Sequence, residues 1–105
     1  MSIQPDGAEL ISAERQRQKD VENYYPEHDQ EFHSKGELAS AAICYALPKE
    51  ERGFPPDYFP VLWPWGEDYW KPTPDDRIRE LVKSGALIAA EIDRLQNNLP
   101  KKVVR

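Results

Sequence analysis

A chain of 105 residues suits one domain, and at that size folding withdraws only about two-thirds of the unfolded surface from water, so every large apolar side chain counts. Nineteen acidic against fourteen basic residues leave a formal charge of −5, which opposes attraction to phosphate backbones and argues against nonspecific DNA or RNA binding. The single Cys44 cannot close an internal disulfide, no apolar run approaches the roughly 20 residues of a membrane span, and Met1 to Leu10 lacks the apolar stretch of a signal peptide, so a cytoplasmic protein with no membrane partner is expected.

The first helix is expected over residues 7–22. Asp6 stands three residues before Glu9, the spacing of a capping box, and the run from Glu9 to Glu22 contains no breaker. Its apolar face is thin: Leu10, Ile11 and Val21 lie near one side, while Glu14, Arg17 and Gln18 share a stripe at helical spacing. Such a stripe either lays long polar stems over a core or looks into a cleft. Together with Arg15 it supplies the first candidate ligand contacts.

Residues 24–37, Y-Y-P-E-H-D-Q-E-F-H-S-K-G-E, read as a loop holding both histidines, His28 and His33, among four nearby carboxylates. Composition alone would suit a divalent metal, but the two histidines stand five apart, match no helical zinc motif, and leave Glu37 to a capping box, so no metal site is expected. His28 is retained as a ligand contact. Ser34 and Glu37 form an S-x-x-E start for a second helix over residues 35–47, with Leu38, Ala41, Ala42 and Tyr45 on one stripe and Pro48 closing it. Cys44, among alanines on that helix, is expected to be a buried inert thiol, and nothing nearby assembles a nucleophilic triad.

The segment 48–73 is the densest feature. Between Leu47 and Pro74 the chain carries three tryptophans, two tyrosines, two phenylalanines and seven prolines. The prolines restrict the unfolded chain, so the loop is expected to be ordered without regular structure, with Trp63, Trp65 and Trp70 either plugging a small core or forming a contact surface. A third helix is expected over residues 74–97, capped by Thr73 with Pro74 in its first position. Ile78, Leu81, Val82, Gly85, Ile88, Ala89, Ile92 and Leu95 would line its core face, before a tail at residues 98–105. Small residues on the second and third helices, with Gly85 among them, suggest that these two pack closely. The fold class is therefore all-α: a three-helix core with a long proline- and aromatic-rich ordered loop between helices two and three. An apolar loop of that density on a small scaffold also favours a homo-oligomer, a dimer being the simplest.

Several segments taken together carry a resemblance: E-R-Q-R-Q from Glu14, P-E-H-D from Pro26, G-E-L-A-S-A-A-I-C-Y-A from Gly36, W-P-W from Trp63, Y-W-K-P from Tyr69 and the long alanine-rich run from Leu81 to Leu95. The chain resembles, over nearly its whole length, a family of small accessory proteins of tailed phages and prophages, which implies a setting in the cytoplasm of an infected bacterium and brings no activity with it. More remotely, the order of segments is similar to MazG-like all-α nucleoside triphosphate pyrophosphohydrolases. Those enzymes hold Mg²⁺ with an E-x-x-E pair and an E-x-x-D pair. Here Glu37 is followed at that spacing by Ser40, and Glu91 and Asp93 stand two apart, so the carboxylate motif is broken.

Three functions follow as expectations. The first is a noncatalytic protein that binds a nucleotide or nucleotide-derived signal without a cofactor, in counter-defence, with Glu14, Arg15, Arg17, Gln18 and His28 as polar contacts and Trp63, Trp65 and Trp70 as stacking faces. The second is an inhibitor of a host or defence protein, with the aromatic rings as the contact. The third is a hydrolase needing Mg²⁺ held by Glu14, Glu37 and Glu91 with His28 or His33.

Overall fold

In a computed structural model of the chain, which describes residues 3–52 and 62–99, the protein is all-α, with four helices and no strand among the described residues. Helix α1 spans Gly7–Glu22, α2 Pro26–Phe32, α3 Glu37–Ala46 and α4 Arg77–Asn97, with single 3₁₀ turns at Lys49–Glu51 and Glu67–Tyr69. None of these helices is long and apolar enough to cross a membrane. About a third of the expected aromatic loop, residues 53–61 with Phe54, Tyr58 and Phe59, lies outside the described residues, as does the tail beyond Leu99.

The Asp6 carboxylate accepts from the Glu9 amide at 2.9 Å while the Glu9 carboxylate accepts from the Asp6 amide at 3.0 Å, so α1 starts with a complete capping box. It stops at Asn23, whose left-handed backbone (φ 64°) asparagine tolerates better than most residues. That turn leads directly into α2, a helix where a loop was expected. Pro26 occupies its first turn and Glu27 and Asp29 sit at its positive end, signals too short to register as periodicity over seven residues.

The expected Ser34 capping box does not form. Gly36 is the N-cap of α3, at φ 86°, and the Glu37 carboxylate accepts instead from the Lys35 amide at 2.7 Å. Glycine supplies a left-handed turn that a serine-capped start would not need. Likewise α4 begins three residues later than the proline suggested. Thr73 and Pro74 belong to a turn closed by the Asp76 amide on the Thr73 carbonyl at 2.8 Å, and Asp76 caps the helix by accepting from the Arg79 amide at 3.0 Å.

The core is built from Leu38, Ala41, Ala42, Cys44 and Tyr45 of α3, Leu87 and Ala90 of α4, and Trp63, with Tyr24, Trp65 and Trp70 packed against it. Trp63 therefore plugs the core. Alanines at the α3–α4 contact let Ser84 Oγ donate to the Ala42 carbonyl at 2.8 Å across the two helices. Gly85 has a different role from the one expected: a Cβ there would lie 2.5 Å from Ile11 Cδ1, so the glycine admits α1, not α3.

The largest departure concerns which side of α4 is inside. Glu80, Val82, Ser84, Ala86, Leu87, Ala90 and Arg94 are buried, whereas Ile78, Leu81, Ile88, Ile92 and Leu95 remain 47–68% exposed. Of the expected core stripe only Val82 is buried. The helix presents to α3 a face turned about a third of a revolution from its most apolar one. That face is tolerated because its polar groups are paired. Glu80 takes Arg52 and Arg77, and Arg94 takes Glu91 and Gln30.

Candidate ligand-binding site

Helical spacing puts Glu14, Arg17 and Gln18 on one face of α1 and Arg79, Lys83 and Leu87 on one face of α4, and the two faces meet along an open groove. The strap between Trp63 and Lys71 closes one side with Trp63, Trp65, Tyr69 and Lys71, and Tyr24 and Tyr45 line the rest of a cavity of about 250 Å³. The volume is near the lower end for small-molecule sites. A second cavity of about 470 Å³, lined by His28, Phe32, His33 and Gly66, shares Glu22, Tyr24, Trp65 and Tyr69 with the first. Trp65 thus stands between two lobes.

One lobe is cationic. Arg17 makes a two-pronged contact with the buried Glu14 carboxylate, both bonds 2.9 Å, and Arg79 Nη1 donates to the same carboxylate at 2.7 Å. Burial raises the Glu14 carboxyl, but the hydrogen bonds and charges of Arg17 and Arg79 outweigh it and hold the group below its ordinary range. Both guanidiniums remain about a third exposed, so each has donors left to offer. Lys83 Nζ donates to the Lys71 carbonyl at 3.0 Å and stands 5.2 Å from the Tyr45 ring centre. Burial, then repulsion from Arg79 and Arg17, lowers the Lys83 amine despite the attraction of Glu14. Four cations against Glu14 and Glu22 make this a local positive field on an acidic protein.

The walls are aromatic. Trp63 and Trp65 meet edge to face at 5.3 Å, Tyr24 approaches Trp65 at 6.2 Å, and Trp63 Nε1 is fixed by donating to the Gly66 carbonyl at 3.1 Å. At the back, Gln18 is 3% exposed and its side-chain oxygen has no hydrogen-bond partner among the described residues. A buried unpaired acceptor costs about 1–3 kcal/mol.

Of the residues chosen from sequence, Glu14, Arg17, Gln18, Trp63 and Trp65 converge on this cavity, and His28 lies in the adjoining lobe. Arg15 does not. Its Nε donates to Asp93 at 3.0 Å and its Nη1 to the Tyr24 carbonyl at 2.8 Å, so it clamps α1 to α4. Trp70 also serves packing, 4.8 Å from Tyr45 and 4.9 Å from Trp63, with the Arg52 guanidinium over its face at 5.4 Å. Sequence reading missed Tyr24, Tyr45, Tyr69, Lys71, Arg79, Lys83 and Leu87. The spacing of Arg79, Lys83 and Leu87 on one helix face was the available signal, hidden by the more apolar stripe beside it. The carboxylates of the Mg²⁺ reading are dispersed: Glu14 is held by Arg17 and Arg79, Glu91 by Arg94, and Glu37 by the Lys35 amide.

No protein-family model, no curated protein and no solved structure matches this chain.

Proposed function

We propose that the protein is a noncatalytic binder of a small ligand that joins a flat heteroaromatic ring to an anionic group, a nucleotide or nucleotide-derived signal. The observation that carries this reading is a single cavity, with Gln18 among its lining residues, that has guanidiniums on one side and tryptophans on the other. The Gln18 side-chain amide would hydrogen-bond the edge of a base. Its ring would stack on Trp65, and its phosphate would take the spare donors of Arg17 and Arg79 with Lys71 and Lys83 nearby. No cofactor takes part. The biological setting that accompanies this reading is counter-defence by a phage accessory protein in the cytoplasm of an infected bacterium, and a homo-oligomer belongs to the same proposal.

A thermal-shift series with mononucleotides, cyclic nucleotides and ADP-ribose derivatives, each with and without Mg²⁺, tests the reading. Saturation a hundredfold above Kd stabilises the folded state by about 2.7 kcal/mol. A Mg²⁺-independent shift that is lost in Arg17→Ala is the expected result, with folding little changed. Loss of binding and of fold in equal measure would remove Arg17 from the site. Release of pyrophosphate or monophosphate would replace this reading with the hydrolase. Silence with every nucleotide would turn attention to an inhibitor of a host or defence protein, for which the exposed rings of Phe32 and Tyr69 are the specific support.

A further inference from the structure

The geometry points to a transition-metal site formed by His28, Asp29 and His33. One donor atom from each of the three residues lies within 4.8 Å of the others. His33 Nδ1 is 2.8 Å and His28 Nδ1 3.5 Å from the same Asp29 oxygen. Around a tetrahedral ion with bonds of about 2.0–2.1 Å, donor atoms stand roughly 3.3 Å apart, so these two separations need change by about half an ångström or less, and the two histidine nitrogens, within 4.8 Å of each other, close toward the same spacing. The second observation is independent of those distances. Asp29 is fully buried, and its other oxygen, Oδ2, has no hydrogen-bond partner among the described residues. A carboxylate removed from water to that degree needs a cation. The guanidinium of Arg94 acts on it only at a distance and makes its own hydrogen bonds to Glu91 and Gln30. A divalent ion between the imidazoles would supply that charge.

Two imidazole nitrogens and one carboxylate form a donor set for Zn²⁺, Co²⁺ or Ni²⁺, not for Mg²⁺ or Ca²⁺, which take oxygen ligands. Three protein ligands leave a position open, and it would face the lobe lined by Tyr24, Trp65 and Tyr69. The local fold explains why the sequence concealed the arrangement. His28 and Asp29 lie on α2 and His33 is its C-cap, so a helix assembles donors that a loop reading leaves scattered.

The test uses the full chain after treatment with a chelator. Zn²⁺ titration by calorimetry is expected to give one ion per chain and a raised Tm, and Co²⁺ is expected to give ligand-field absorption in the visible range. His28→Ala, at a half-buried position, should keep the helical circular dichroism and weaken Zn²⁺ binding by about 100-fold or more, since even outer-shell partners are worth 10–100-fold. Asp29→Asn should abolish it. Absence of saturable Zn²⁺ uptake overturns the proposal, as does equal Zn²⁺ affinity in the parent and His28→Ala, and the cluster is then a carboxylate–imidazole pair alone.

A different observation carries a second proposal. We infer that another copy of this chain docks on the apolar stripe of α4. Ile78, Leu81, Ile88, Ile92 and Leu95 of α4, and Leu99 just past its C-cap, are each 41–68% exposed. With Gly85 they recur at alternating intervals of three and four, the seam spacing of packed helices. Six such side chains present on the order of 600 Å² per copy, at the upper limit for patches on monomers and close to the roughly 800 Å² per partner of a stable interface. The stripe is complementary to itself when antiparallel. Ile78 then faces Leu95 of the partner subunit and Leu81 faces Ile92 of the partner subunit, on either side of Gly85, which Ile11 of the same chain covers. The flanking Val82 and Ala89 bring no like charges together. Sedimentation of the full chain from about 1 to 100 µM is expected to give twice the 12.2 kDa chain mass. Ile88→Glu should yield a monomer of unchanged helicity, and Ile92→Lys is the second variant. A monomeric parent at the highest concentration overturns the proposal, as does an unaltered mass in both variants.

Discussion

Two glutamates, Glu80 and Glu14, are almost completely buried beneath arginines, yet they do different things. Glu80 receives Arg52 through two bonds of 2.7 and 2.9 Å, Arg77 at 3.2 Å and the Thr73 amide at 3.0 Å. Arg52 is itself buried and spends its remaining donors on the Cys44 and Tyr45 carbonyls at the end of α3, where Arg77 also caps Ala46 and Leu47. Arg77 is 37% exposed, but its Nη1 and Nη2 are taken up by those carbonyls and Glu80. Glu14 also holds two guanidiniums, but those of Arg17 and Arg79 reach solvent through the groove. The same ion-pair chemistry therefore makes a clamp closed by Arg52 at one end of α4 and a pair open to the groove at the middle of α1. Enclosure, not residue type, separates the two.

That contrast can be broken by substitution. Arg52→Ala, which strands a buried carboxylate, should cost about 3–5 kcal/mol of stability, a Tm loss on the order of 15–25 °C by calorimetry. A loss under 1 kcal/mol would show that the clamp is no more enclosed than Glu14. Trp65→Ala should reduce nucleotide affinity by about 1–3 kcal/mol, read by titration, because it removes the stacking wall between the lobes. Arg17→Ala should cost about 1 kcal/mol of stability or less, as expected of a partly exposed pair that leaves Arg79 on Glu14. Its effect on ligand binding should exceed its effect on folding.

The smallest effect sharpens the comparison through acid. In Glu80, as in Glu14, burial raises the carboxyl, but the arginine hydrogen bonds and charges prevail, and both groups fall below their ordinary value of 4.5. A carboxyl depressed by folding contributes stability that is fully present above its unfolded value. That contribution is lost as pH falls through the lower folded value. Urea unfolding should therefore show stability declining below about pH 4.5, and Glu80→Gln should flatten that acid limb. An acid limb as steep as the parent's in Glu80→Gln would remove Glu80 from this role.

The helical character of the chain was readable where signals were local. The Asp6–Glu9 capping box specifies the start of α1 through side chains three residues apart, and the apolar content of residues 77–97 specifies a helix there. Local signals failed where two of them competed. Ser34 and Gly36 both fit an N-cap, and the left-handed backbone at Gly36 prevailed. Thr73–Pro74 and Asp76 both fit the start of α4, and the turn at Thr73 moved the cap to Asp76. About half of the candidate site was visible as well, because Glu14, Arg17 and Gln18 share one helix face whatever lies opposite. Arg79, Lys83 and the tyrosines could not be added without knowing how α4 is turned.

The sequence by itself determined α1, α3 and α4, the acidic composition and the polar stripe on α1, since these depend on spacing within a few turns of chain, whereas α2 was too short to show. Only tertiary structure decided the rotation of α4. Hydrophobic periodicity ranks its faces by transfer from water and would bury Ile78, Leu81, Ile88 and Ile92. The folded chain instead buries Glu80, Ser84 and Arg94, whose partners Arg52, the Ala42 carbonyl and Gln30 stand 28, 42 and 64 residues away. A paired polar face can be enclosed at little cost, and the pairing exists only after distant segments have met.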